Sequence, residues 1–78
     1  MLRLLIEFAV KKLVLNPSKV YISETIDGPR SIIEIRVHPD DVGKVIGKEG
    51  RSIKALRVLA ESVATSHGME SILDVLGS

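Results

Sequence analysis

The chain has 78 residues, 45% hydrophobic and 27% charged, with 11 Lys and Arg against 10 Asp and Glu and neither Cys nor Trp. That length holds one core, hence one domain over 1–78, built from aliphatic side chains. The missing cysteines exclude disulfide scaffolds, Cys-based zinc sites and thiol catalysis, and the apolar fraction excludes intrinsic disorder.

Residues 2–15 have helical spacing. Leu2, Leu5, Ile6, Ala9, Val10, Leu13 and Val14 repeat at i, i+3, i+4 and define a buried face. Arg3, Glu7 and Lys11 form a polar stripe at i, i+4. Pro17 restricts Asn16 and ends the helix there. At 100° per residue Leu4, Phe8 and Leu15 fall on a second, narrow face. Either a small domain wraps the helix on two sides, or this is a surface for self-association or a partner. The first apolar run is broken by Glu7, Lys11 and Lys12, with no cleavage site after it. Nothing approaches the ~20 apolar residues of a membrane span. The chain is therefore expected to be soluble and cytoplasmic, without a membrane partner.

Residues 19–26 alternate as a strand, Val20, Ile22 and Ile26 against Tyr21, Ser23 and Thr25. Asp27-Gly28-Pro29-Arg30 is turn chemistry. Residues 31–37 return as a second strand with Ile33, Ile35 and Val37 on one side, which makes an antiparallel hairpin. His38-Pro39-Asp40-Asp41 opens a short helix to about Ile46, with Asp40 or Asp41 as its cap. Gly47-Lys48-Glu49-Gly50 interrupts it. A further helix runs from Arg51 to about Thr65, with Ile53, Leu56, Leu59, Ala60 and Val63 inward. His67-Gly68 stops it, and residues 70–75 are long enough for a last strand with an ambiguous pattern. The order α-β-β-α-α-β implies an α+β two-layer sandwich, a three-stranded sheet covered on one face by three helices.

The charge is unevenly spread. Between Lys44 and Arg57, Lys44, Lys48, Arg51, Lys54 and Arg57 face Glu49 alone, a local +4 that leaves −3 for the rest of the chain. One basic segment on a balanced chain points to a localised anionic partner. Within it, two glycines three apart permit a tight turn whose N–H groups are not screened by side chains. The next helix starts there, so its positive end faces the same place. Lys44, Lys48 and Arg51 surround the turn. Val42, Val45, Ile46 and Ile53, with one face of the second strand, supply an aliphatic wall. Phosphates on one side and bases on the other describe a single-stranded nucleic acid.

Val45-Ile46-Gly47-Lys48-Glu49-Gly50-Arg51-Ser52-Ile53-Lys54-Ala55-Leu56 resembles the signature of KH domains, where a GXXG loop joins two helices. With the element order, the chain is similar to type II KH domains. Over nearly its whole length, and in Asp41-Val42-Gly43-Lys44-Val45-Ile46-Gly47, it resembles the small stand-alone bacterial KH proteins of the KhpA kind. The resemblance implies that Gly47, Lys48, Glu49 and Gly50 clamp single-stranded RNA. Lys44 and Arg51 would assist at phosphates, and Val45, Ile46 and Ile53 would shape the groove. It also implies an RNA chaperone or post-transcriptional regulator. The partner would be a second copy or a larger KH-containing protein of the Jag type, seated on Leu4, Phe8 and Leu15. Glu49 departs from a favourable clamp, because its charge weakens the loop's field.

Other readings fit less well. A P-loop needs a strand before it and G-x-x-x-x-G-K-[ST]. A helix-hairpin-helix module would lack the preceding β-hairpin. His38 and His67 sit at element ends, and helix capping accounts for Asp40-Asp41, so no catalytic residue, metal or cofactor is expected. Base stacking on aromatics is ruled out as the main device by having only Tyr21 and Phe8. The remaining alternative is a protein–protein adapter that works through the first helix.

Overall fold

The fold is described from a computed structural model covering residues 2–77. The described residues form helix α1 (Arg3–Lys11), strands β1 (Tyr21–Asp27) and β2 (Arg30–Arg36), helices α2 (Val42–Ile46) and α3 (Arg51–Ser66), and strand β3 (Glu70–Val75). Single 3-10 turns occupy Pro17–Lys19, Pro39–Asp41 and Lys48–Gly50. This is the expected α-β-β-α-α-β order of a type II KH layout, and the ambiguous last strand is formed.

The sheet order is β1-β2-β3. β1 and β2 pair antiparallel, Asp27 opposite Arg30, across the two-residue turn Gly28-Pro29. β3 joins β2 in parallel, Ile33 beside Leu73 and Ile35 beside Val75, after the α2–α3 crossover. β2 is therefore central, and β3 keeps one unpaired edge.

The core lies between the sheet and the helices. Ile22, Ile33, Ile35, Leu73 and Val75 from the sheet meet Leu2, Ile6 and Val10 from the α1 segment and Ile53, Leu56, Ala60 and Ala64 from α3. Ala64 is an inward residue that the apolar spacing did not single out. Leu13 and Leu59, expected inward, lie at the margin with about a third of their surface exposed.

Two carboxylates fasten α1 to the rest of the molecule, and both alter the expected elements. Glu24 occupies an inward position of β1. Its Oε1 accepts from the backbone N–H of Leu2 and of Arg3, each at 3.0 Å, and its Oε2 from Ser31 Oγ at 2.7 Å. Glu24 thus supplies acceptors for amides at the helix start, where the helix itself has none. Asp41 is wholly buried. It accepts from the N–H of Leu15 at 3.1 Å, and from the N–H and Nδ2 of Asn16 at 3.0 Å each. These bonds draw residues 15–16 away from the helix axis, so α1 ends at Lys11 and not at 15. The cap expected from Asp40 or Asp41 is supplied by neither. His38 Nδ1 accepts from the Asp40 N–H at 3.1 Å. Ile26, on the same side of β1 as Val20 and Ile22, is exposed, one residue from the hairpin end of this edge strand.

Candidate nucleic-acid interface

α2 ends where Gly47 takes φ 78°, ψ 172°. A Cβ at this position would lie 2.8 Å from the Ser52 backbone nitrogen, so the close return of α3 onto the bend requires glycine. Glu49 follows at φ 58° and Gly50 at φ 74°, both left-handed. The Gly50 N–H closes the bend onto Gly47 O at 3.1 Å. Among the described residues no backbone carbonyl accepts from the Lys48 or Glu49 amide. Two N–H groups on an exposed loop at the start of a sixteen-residue helix make a site for an anion.

The cations around this bend are not equivalent. Lys44 and Lys48 are exposed and form no ion pair among the described residues. Arg51 Nη2 lies 3.7 Å from Glu49 Oε2, so the acidic residue of the loop and its nearest arginine offset each other. Both side chains are well exposed, and such a pair contributes less than about 1 kcal/mol.

Beside the bend, a cleft of about 430 Å³ runs between α2, α3 and the free edge of β3. Ile46, Ile53, Arg57 and residues 74–77 line it. Ile46 and Ile53 both line it, and Ile53, 8% exposed, also belongs to the core. Val45, expected on the same wall, is wholly buried in the core. The strand beside the cleft is also different. β2, expected to offer a face, turns Ile33 and Ile35 into the core and puts no residue on the cleft. β3 takes its place because the parallel crossover sets it next to α3. Val42 lines a separate depression with Arg36, Val37, Pro39, Leu76 and Gly77.

Arg57, counted in the basic segment but not placed around the turn by the sequence, also lines the cleft. Its Nε donates to Leu73 O at 3.2 Å, and its Nη2 lies 3.7 Å from Asp74 Oδ1. Its basic neighbours gave no signal of this, since the partners are sixteen or more residues away.

The residues assigned to a partner surface are dispersed. Leu4, Phe8 and Leu15 are 66%, 64% and 76% exposed. Leu4 and Phe8 share an outward face of α1, with Lys12 Nζ 5.0 Å from the Phe8 ring centroid. Leu15 lies beyond the helix end, so helical geometry does not align it with them. A second apolar depression, about 250 Å³, lies between α1 and α3 and is lined by Ala9, Leu13, Ser52, Ala55, Leu56 and Leu59. Among the described residues there is no cluster of His, Cys, Asp or Glu able to hold a metal, and no helix is long and apolar enough to cross a membrane.

The family model described as KhpA/KhpB, KH domain, matches residues 3–75. A protein of Halalkalibacterium halodurans named "RNA-binding protein KhpA" is 44% identical over 75 residues, 96% of this chain and 99% of the relative. Relatives of the same name from Chlamydia caviae, 43% identical over 88% of both chains, and Aquifex aeolicus, 40% identical over 92% of this chain and 91% of the relative, are also similar. No solved structure matches the chain.

Proposed function

This chain belongs to the KhpA/KhpB KH-domain family, and on that premise we propose that it is an RNA-binding protein, not an enzyme, that clamps short single-stranded RNA at the Gly47–Gly50 bend. The observation that carries this is the pair of unbonded amides at Lys48 and Glu49, set beside an aliphatic cleft. The sugar-phosphate chain crosses the bend. Lys48 and Glu49 donate their amides to a phosphate, and Lys44 and Lys48 add charge. Arg51 assists once drawn from Glu49. Bases turn into the cleft and rest on Ile46 and Ile53. A duplex hides its base faces and does not fit this arrangement. Binding depends on main-chain amides and aliphatic contact, so it carries little sequence preference at the bend itself. That suits an RNA chaperone or post-transcriptional regulator acting in the cytoplasm.

The deciding experiment uses the double variant Lys48→Asp, Glu49→Asp, which sets two acids at the phosphate. Retention of the parent circular dichroism with loss of binding to a labelled single-stranded RNA is the expected result. Unchanged affinity in the folded variant would move the function to an adapter role.

The apolar exposure of Leu4, Phe8 and Leu15, and the depression lined by Leu13 and Leu59, favour a second component: pairing with another copy or with a larger KH-containing protein of the Jag type. Leu4→Glu, Phe8→Glu and Leu13→Glu are expected to weaken association without unfolding the monomer. Light scattering that finds the parent protein monomeric at every concentration would reject a stable homodimer.

A further inference from the structure

We propose that Arg57 is a base-reading residue of the cleft, selecting nucleobases that present two adjacent hydrogen-bond acceptors. This rests on the RNA-binding reading above and adds a preference to it. A guanidinium has five N–H donors in a rigid plane and no acceptor. Here Nε donates to Leu73 O and one side of Nη2 faces Asp74 Oδ1 as an ion pair, both partners from β3. The opposite edge, Nη1 with the rest of Nη2, has no partner among the described residues, and the residue lines the cleft with Ile46 and Ile53.

The neighbouring carboxylate decides what that edge takes. Asp74 offsets the guanidinium charge and repels a phosphate brought close to it. A neutral base suffers no such repulsion. Lys44 and Lys48, with no ion-pair partner, are the better phosphate ligands. The division is therefore phosphate at the bend and base at Arg57. A donor-only edge matches guanine through O6 and N7, or cytosine through O2 and N3. It mismatches adenine, whose Watson–Crick and Hoogsteen edges each set the N6 amino donor beside a single acceptor. One hydrogen bond and one ion pair restrict the side chain in advance, so less of its rotamer freedom is lost on binding.

The test is a set of uridine hexamers in which guanosine, cytidine or adenosine is scanned through each position, with dissociation constants measured on the full chain. The expected result is that the best guanosine or cytidine hexamer binds about tenfold tighter than its adenosine counterpart. In Arg57→Lys, which keeps the charge and loses the fork, that ratio falls to about twofold or less. Arg57→Gln serves as a second variant, and thermal melts confirm that both are folded. Replacing guanosine by 7-deazaguanosine separates the two bases: the preference vanishes if O6 and N7 are read and is untouched if cytosine is the ligand. Equal affinity for all hexamers, or a preference that survives Arg57→Lys, overturns the assignment while leaving RNA binding in place. Failure to bind any hexamer removes the RNA-binding reading itself, and this assignment with it.

Discussion

Gly47 and Gly50 bound one bend but meet different constraints. At Gly47 a side chain meets both a positive φ and the Ser52 backbone nitrogen. At Gly50 a Cβ would make only ordinary contact with Ile53 and Lys54, so φ alone opposes it. Gly47→Ala is therefore expected to cost more, ~1–3 kcal/mol for the strained conformation with the collision added, against ~1–2 kcal/mol for Gly50→Ala. Urea melts of the two variants check the order; equal costs would mean that the start of α3 yields. Glu49 is the converse case. It is the only non-glycine residue with positive φ among the described ones, and it carries a charge opposed to the proposed ligand. Asparagine tolerates the left-handed region better. Glu49→Asn should thus raise stability and also tighten RNA binding, since a unit charge at 4 Å in water is worth about 1 kcal/mol, or about fivefold in affinity. Titration with a single-stranded RNA measures this, and weaker binding would show that the Glu49 side chain itself contributes to the grip.

At the scale of elements, α1 shows what can and cannot be read from a local pattern. Its inward residues Leu2, Ile6 and Val10 and its i, i+4 pairs follow the spacing; Glu7 lies 3.6 Å from Arg3 and 3.4 Å from Lys11. Its end does not, because Asp41 takes the amides of Leu15 and Asn16 from 25 or 26 residues away. Glu24 was equally hidden: a polar residue at an inward strand position is legible only once the helix it caps is placed against it. Burial alone would push both carboxyls up. For Glu24, hydrogen bonds from Ser31 and from the Arg3 and Leu2 amides outweigh it. For Asp41, bonds from Asn16 and Leu15, with the charge of Lys44, do the same. Both groups are held below their ordinary values of 4.5 and 3.8. The sign follows: the folded state binds fewer protons, so this stabilisation is complete above those values and disappears as pH falls through the lower folded ones. Denaturation followed from pH 7 downward should show stability declining from about pH 4.5. In Glu24→Gln stability at neutral pH should be lower and the acid decline shallower; an identical decline would clear Glu24 of any part in it.

Across the whole molecule, the bend and its following helix were visible in sequence because glycine spacing, helix start and local charge are all short-range signals. The cleft was only half visible. Ile46 and Ile53 lie within the same segment, but β3 and Arg57 enter through a parallel crossover whose register depends on the assembled core. The crossover also corrects the charge count. The segment with a formal +4 contains Arg51, balanced by Glu49, and Arg57, balanced by Asp74 from outside it. Of the cations around the bend, Lys44, Lys48 and Lys54 form no ion pair among the described residues, and Lys44 and Lys48 are the two assigned to displace counterions from a phosphate chain. Each phosphate neutralised on a single strand contributes ~0.7 to the slope of log affinity against log salt. Two such contacts predict a slope of roughly 1.4, rising to about 2 if Arg51 exchanges Glu49 for a third phosphate. Fluorescence anisotropy of a short labelled RNA across a range of potassium chloride concentrations measures it directly. Glu49→Asn frees Arg51 and should move the slope toward the higher value, whereas Lys48→Ala should lower it by one contact. A slope near 4 in the parent chain would mean that the paired arginines and the outer lysines all reach phosphate, and that the division of labour between bend and cleft does not hold.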